Sequence, residues 1–388
     1  MKMNVDWLRE AEGLSDELTA LRRAFHRCPE LGNREYKTAE RIEEVLHGCG
    51  VETERILGTA VVGRLRGAFP GPVAAIRADM DALPIQEETG ADFASETPGV
   101  MHACGHDIHM TAALGAAKLL SAHRGELPGS VVFLFQPDEE GNGGARRMIG
   151  AGALRDVDAV FGCHTAPGLP AGHAAVRYGK FYAASDTFRL TLTGKSAHGA
   201  EREKGVDALA AAARLIPELL SLPELFPGER SVVTVGTLHS GTAVNIVPGS
   251  AELTGIIRTL GPDARVRMRE RMRETVAAAA EQTGVRAELH VRESFPGVVN
   301  DEAMTRFVFD TAAELLGAER VSVIETPTMT SEDFGEFLME RPGSFYHIGS
   351  GCARPLHSAD FLPEDRSAVT GAALHAAVAA AFLSGRFR

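Results

Sequence analysis

Ten residues, Met101-His102-Ala103-Cys104-Gly105-His106-Asp107-Ile108-His109-Met110, hold a thiol, three imidazoles and a carboxylate just ahead of an apolar stretch. Cys104 and His106 stand two apart around Gly105, a spacing that lets both side chains turn toward one point. Thiolate plus imidazole suits zinc, cobalt or nickel, and manganese once carboxylates join. Later fragments carry the same chemistry: Asp138-Glu139-Glu140, Cys163-His164 and Leu356-His357-Ser358. Glu139 and Glu140 follow an apolar run and the turn former Gln136-Pro137. Adjacent carboxylates repel unless a cation lies near or one is protonated. A division of labour resolves this: one binds metal and the other moves a proton. Gly141-Asn142-Gly143-Gly144-Ala145, directly after them, keeps the backbone close and points to a crowded site. Asp79 and Asp81 close another apolar run, and such carboxylates orient a ligand imidazole through its free N–H.

Taken singly, each cluster has a plainer reading. Cys104 is then a small buried hydrophobe, His106 a helix cap and Glu139-Glu140 a solvated acidic turn. His164 and His357 become ordinary histidines, the class that also takes His102, His109, His173, His239 and His347. His109 alone among those five is a candidate to support a ligand. The clusters together favour a metal.

The elements that must position these residues alternate. Helices are predicted over 14–27 and 34–48, strands over 60–65 and 73–77, a helix over 110–120 and strands over 130–135 and 159–162. Ser130-Val131-Val132-Phe133-Leu134-Phe135 is nearly all apolar, as a strand covered on both faces requires. This α/β order predicts a mostly parallel sheet with helices on both faces, and places the clusters after its strands, at the carboxyl edge. The middle differs. A strand over 188–193, a helix over 206–221, strands over 231–239 and 251–259, a helix over 263–283 and a strand over 286–292 give the β-α-β-β-α-β order of a ferredoxin-like α+β domain. Helical and strand patterns near 303–316 and 368–384 return to the first style. The reading is a discontinuous catalytic, metal-binding domain of residues 1–182 and 294–388, with 183–293 inserted as a lid that also offers a dimerisation surface.

Composition narrows the class. With 388 residues, more than one core is expected. A net charge of -12 argues against nucleic acid and anionic membrane surfaces, and no apolar run is expected to reach the roughly 18 residues of a membrane span. The acidic, amphipathic start lacks a signal peptide's apolar stretch, and five scattered cysteines suit no disulfide framework; a cytoplasmic setting is the expectation. The arginines at 265, 267, 269, 271 and 273 read as a solvated helix face.

The residues also resemble a family. Pro29-Glu30-Leu31-Gly32, Arg77-Ala78-Asp79-Met80-Asp81-Ala82-Leu83-Pro84, Met101 to His106, Phe135 to Glu140, Ser331-Glu332-Asp333-Phe334 and Leu356-His357-Ser358 occur in the order seen in amidohydrolases of the aminoacylase/carboxypeptidase superfamily. The branch is that of hippurate hydrolase, indole-acetyl-amino-acid hydrolase and N-acetyldiaminopimelate deacetylase. The resemblance runs nearly end to end and implies a hydrolase with two divalent metal ions (manganese, zinc, cobalt or nickel), a catalytic domain and a lid. It implies Cys104, His106, Glu140, His164 and His357 as metal ligands and Glu139 as general base. Asp79 is implied as the strand-end supporting carboxylate, with Asp81 the other candidate. In the lid, Ser196-Ala197-His198-Gly199-Ala200 resembles the segment whose histidine reaches the substrate carbonyl oxygen. Gly241 to Pro248 resembles the segment whose asparagine, here Asn245, faces the substrate, and Arg258 is the candidate partner of the substrate carboxylate; the plainer alternatives are a turn residue and a sheet-surface charge. Ile108, Asp138 and Thr165 depart from the family pattern at pocket positions, which weakens any transfer of substrate preference.

The expected chemistry is hydrolysis of an N-acetyl, N-benzoyl or aryl-acetyl amino acid by metal-activated water, with a homodimer or tetramer left open. The competing readings are a metallo-carboxypeptidase or dipeptidase of the same superfamily, a cysteine hydrolase using Cys104, and a non-catalytic metal-binding protein.

Overall fold

The computed structural model describes residues 5–386. The chain divides into two compact units: Met1–Gly179 with Asn300–Thr326 and Glu336–Arg388, and Lys180–Val299 with Pro327–Gly335. The second unit thus takes a short segment, 327–335, that the sequence reading leaves in the first. Two backbone bonds tie it there, Thr328 N–H to Phe181 O and Ala183 N–H to Thr330 O.

In the first unit, strands β1 (Glu52–Ile56), β2 (Ala60–Arg66), β3 (Phe69–Asp79), β4 (Pro128–Gln136), β5 (Ala159–Ala166), β6 (Ala174–Val176), β7 (Val321–Val323) and β8 (Gly343–Gly349) form one sheet. Their spatial order is β1-β2-β4-β3-β5-β8-β6-β7. The β3–β4, β3–β5, β5–β8 and β6–β7 pairs are parallel; β1–β2, β2–β4 and β6–β8 are antiparallel. Side chains alternate across a strand. Ala74, Ile76 and Ala78 of β3, Val131, Phe133 and Phe135 of β4, and Ala159 and Phe161 of β5 join the main core. Their alternates Ala75, Val132, Leu134 and Val160 are buried as well, so both faces are covered. That is the α/β layering the near-continuous apolar runs require.

The first unit's helices include α1 (Trp7–Gly13), α2 (Ser15–Arg27), α3 (Tyr36–Gly48), α4 (His106–Ala122), α5 (Gly144–Gly150), α6 (Glu302–Leu316) and α7 (Arg366–Leu383). The last corrects the expectation that no apolar run suffices for a membrane span: α7 is long and apolar enough by composition, and 94% of it is buried inside the unit. It is a core helix, packed with α4 residues in the main cluster.

In the second unit, Ser231–Ser240, Ser250–Thr259, Ala184–Thr193 and Arg286–Glu293 lie side by side in that order, all antiparallel. Helices Ala208–Leu220 and Pro262–Thr283 share one core with the sheet, through Ala212, Leu215, Met268 and Met272 against Leu190 and Leu253. The strand order and connections are ferredoxin-like. The arginine series is not a uniformly solvated face. Arg265 Nε donates to Asp186 Oδ1 at 3.0 Å, and Arg265 and Arg269 are only 11% and 13% exposed. Arg267 pairs with Glu229, Arg269 with Glu293 and Arg271 with Glu274.

Candidate metal centre

Parallel pairing sets where the chemistry gathers. Asp79 stands opposite Gln136 and Arg77 opposite Gly162, so β3, β4 and β5 reach one edge together. There the chain supplies Asp79 and Asp81, then Glu139 and Glu140. His164 lies inside β5 rather than after a strand, because β8 pairs alongside as far as Gly349 with Ala166. His106 is likewise the first residue of α4, four residues ahead of the expected helix start. Gly105 precedes it at φ +84°, and a Cβ there would meet Thr165 Oγ1 at 2.4 Å. Only glycine combines that backbone with that contact. His357 arrives on a loop with φ +65°, its N–H held by Ala103 O at 2.8 Å.

Donor atoms of Cys104, His106 and His164, of Cys104, Glu140 and His357, and of His106, Glu139 and Glu140 form three groups, each with its atoms within 4.8 Å of one another. Cys104 Sγ lies 3.4 Å from His164 Nε2 and 3.3 Å from His357 Nε2, and the latter is 3.0 Å from Glu140 Oε1. A carbonyl oxygen only accepts. His106 Nδ1–H therefore donates to Asp81 O at 2.8 Å, and His164 Nδ1–H donates to Thr165 O at 2.8 Å. With Nδ1 held in this way, each Nε2 faces the centre, where a metal takes the place of any proton it carries. His106 Nε2 is buried and has no hydrogen-bond partner among the described residues. It stands 3.7 Å from Asp79 Oδ2 and 4.0 Å from Glu140 Oε1, a gap that suits a cation. The donor set fits a divalent metal centre of mixed sulfur, nitrogen and oxygen ligands.

Electrostatics agree. Burial opposes charge on His106, yet Asp79, Asp81 and Glu140 raise it to about 10. Burial, then Glu140 and Glu139, pushes the Cys104 thiol well above its ordinary value. Glu140, although burial raises it, is drawn to about 2 by its bond to His357 and by His106. The pocket holds excess negative charge, which a divalent cation relieves.

The two aspartates have separate partners. Asp81 Oδ1 and Oδ2 accept from the backbone N–H groups of Glu139 and Glu140 at 3.1 and 3.0 Å. Asp79 accepts from His109 Nδ1 at 2.6 Å and Arg77 Nη1 at 2.7 Å. Thr165 N–H donates to His109 Nε2 at 2.8 Å, so both nitrogens of that ring are occupied. His109 holds Asp79 in place through Nδ1. Residues the sequence reading missed lie just behind. Buried Arg22 donates to Asp107 Oδ2 at 2.8 Å and to Asp365 Oδ1 at 3.1 Å. His26 Nδ1 meets Asp107 Oδ2 at 2.7 Å. The amphipathic spacing of α2 was the available signal, but an arginine there reads as a surface charge.

In the second unit, His198 pairs with Ile246 in a short ladder, and Gly199 N–H donates to Asn245 O at 2.7 Å. The structure thus brings His198 and Asn245 together. Arg258 lies on a different element, between Ser185 and Val232 in the larger sheet. Its Nη1 is buried without a hydrogen-bond partner among the described residues.

Fold, donor set and paired glutamates define a metal-dependent hydrolase of amide bonds. The chain belongs to peptidase family M20/M25/M40, whose model matches residues 75–381. It is 36% identical over 381 residues to thermostable carboxypeptidase 1 of Saccharolobus solfataricus, covering 95% of this chain and 96% of that one. It is also 36% identical over 354 residues to N-acetylcysteine deacetylase of Bacillus subtilis, covering 90% and 92%. The crystal structure of the Bacillus subtilis YXEP protein, described as a dinuclear metal binding peptidase of the M20 family, superposes with a TM-score of 0.87 at 34% identity, over 96% of this chain and 99% of that one.

Proposed function

We propose that the protein removes the acyl group from small N-acyl amino acids, with Glu139 as the general base and a pair of divalent ions held by Cys104, His106, Glu140, His164 and His357. One observation carries this reading: Asp81 grips the backbone N–H groups of Glu139 and Glu140 together, so two adjacent carboxylates enter one site with fixed spacing. When bound, divalent ions supply Lewis acidity, acidifying water and polarising the scissile carbonyl. Glu139 takes the proton of the attacking water and returns it to the leaving amine. Cys104 and Glu140 carry the negative charge that neutralises the ions, while Asp81 fixes the His106 ring. Asp79, backed by Arg77 and His109, adds fixed negative charge beside His106 Nε2. A structural zinc protein has no use for the second glutamate.

The test is a panel of N-acetyl, N-benzoyl and indole-acetyl amino acids together with dipeptides, assayed after chelation and after adding back manganese, cobalt, nickel or zinc. Activity lost on chelation and restored by an ion is expected; activity that survives chelation favours a cysteine hydrolase at Cys104. The second reading, a carboxypeptidase or dipeptidase, is favoured by the likeness to a carboxypeptidase at the same identity as to a deacetylase. Dipeptide turnover above that of every N-acyl amino acid would select it.

By resemblance, His198 stabilises the oxyanion, Asn245 faces the substrate and Arg258 pairs with its carboxylate. His198→Ala is expected to lower kcat about 10²–10³-fold, the usual loss of one such donor. Unchanged kcat would remove His198 from the chemistry. The protein is further proposed to work in the cytoplasm as a homodimer or tetramer; light scattering and cell fractionation address both.

A further inference from the structure

Immediately before the paired glutamates, Asp138 holds φ +58°, a left-handed conformation uncommon outside glycine and best tolerated by asparagine and aspartate. The surroundings are specific. Asp138 N–H donates to Glu35 Oε1 at 3.0 Å, and Glu35 is fully buried. Asp138 O accepts from Gly143 and Gly144 N–H at 3.1 and 3.2 Å. Arg147 Nη1 reaches Asp138 Oδ2 at 3.3 Å and Asn33 Oδ1 at 2.6 Å. Gly32 lies so near that a Cβ on it would meet Asp138 Oδ1 at 2.5 Å.

The same turn touches the other carboxylate-bearing segment. Ala82 N–H donates to Glu30 O at 2.8 Å, directly after Asp81, and Leu31 bridges Ala82. Glu30 Oε2 in turn accepts from Thr38 N–H and Oγ1, each at 2.9 Å, which anchors the turn to α3. Residues 30–35 therefore brace the backbone on both sides of the pair that Asp81 grips. None of these side chains belongs to the donor set.

We infer that Glu35 is a positioning residue: by accepting the Asp138 N–H it fixes the left-handed turn that aims Glu139 and Glu140 into the site. The inference rests on the reading of Glu139 as general base and Glu140 as ligand. Burial, with the charge of Asp81, raises Glu35 to about 7, so a neutral side chain with the same acceptor oxygen is compatible with its place.

The test compares Glu35→Gln with Glu35→Leu in the metal-loaded full chain. Glutamine keeps an acceptor for Asp138 N–H, whereas leucine fills the space without one. Glu35→Leu is expected to lose about 10²-fold in kcat with KM within about threefold, and Glu35→Gln to stay within about threefold in kcat, the pattern of a misplaced catalytic group and its rescue. Manganese affinity, measured by calorimetry, is expected to fall at least about 10-fold in Glu35→Leu and to hold in Glu35→Gln. That second readout stands even if the wild type turns over nothing in the substrate panel, which would count against the hydrolase reading alone. Wild-type kcat and manganese affinity in a folded Glu35→Leu, or equal impairment of both variants, overturns the inference. Should Glu35→Leu fail to fold, Gly32→Ala presses on the same turn through the Asp138 carboxylate. A comparable loss of kcat supports the brace, and unchanged kcat overturns it.

Discussion

Glu139→Gln, loaded with metal, is expected to lose about 10²–10⁴-fold in kcat, the range general acid–base catalysis contributes. The substitution keeps size and leaves the backbone bond from Glu139 N–H to Asp81 intact. It removes only the ability to hold a proton. Metal content and KM are therefore expected to stay near wild type, which separates this variant from Glu140→Gln. Glu140 lies 3.0 Å from His357 Nε2 and belongs to the donor cluster with Cys104, so its loss is expected to show first as loss of metal. Metal analysis beside steady-state kinetics for both variants makes the distinction. Near-wild-type turnover by metal-loaded Glu139→Gln would place the base elsewhere.

Arg22→Leu is expected to cost about 3–5 kcal/mol of stability, because it removes one partner of a fully buried ion pair and leaves the other charge behind. Asp107 directly follows His106, the proposed ligand, so the loss falls on the start of α4. Denaturant unfolding measures it, and a loss below about 1 kcal/mol would make the pair no stronger than a surface one. The pH dependence has a definite sign. Burial opposes ionisation of Asp107, but Arg22 and His26 hold it below the usual carboxylate range. Its contribution is complete above about pH 4 and is withdrawn as the pH falls further. His26 is raised: burial lowers it, but Asp107 and Glu87 outweigh that. Its contribution is complete below about pH 6.5 and fades as the pH climbs through the higher folded value. The network is strongest between those limits, but Arg22 also disfavours charge on His26, so the loss in Arg22→Leu is expected to set in above about pH 4 and to grow as His26 gives up its proton.

Much of the layered fold was legible because apolar runs such as Ser130–Phe135 and the alternation at 188–193 carry their own periodicity. The donor types were legible too, since thiol, imidazole and paired carboxylates recur in short clusters along the sequence, although His164 lies within β5 rather than after it. What was not legible depends on packing. Gly343–Gly349 mixes Ser, Tyr and His with apolar residues and shows no clean period, yet it becomes a strand because β5 and β6 flank it. Arg22 and Glu35 look like surface charges on helices until their buried partners, 85 and 103 residues away, are placed beside them. The separate partners of Asp79 and Asp81 likewise follow from how β3, β4 and α4 meet, because both aspartates end the same run.

The place of β8 also bears on how the chain is made. During synthesis, β5 and β6 emerge well before Gly343, and all of Lys180–Val299 is complete in between. Until β8 arrives, the β5 edge, with Val160, Phe161 and Cys163, has no neighbour on that side. An unpaired apolar edge invites pairing with other chains. The insertion is thus free to fold first while the older half of the sheet waits, and a transcript cut before Gly343 yields a sticky edge rather than a smaller enzyme.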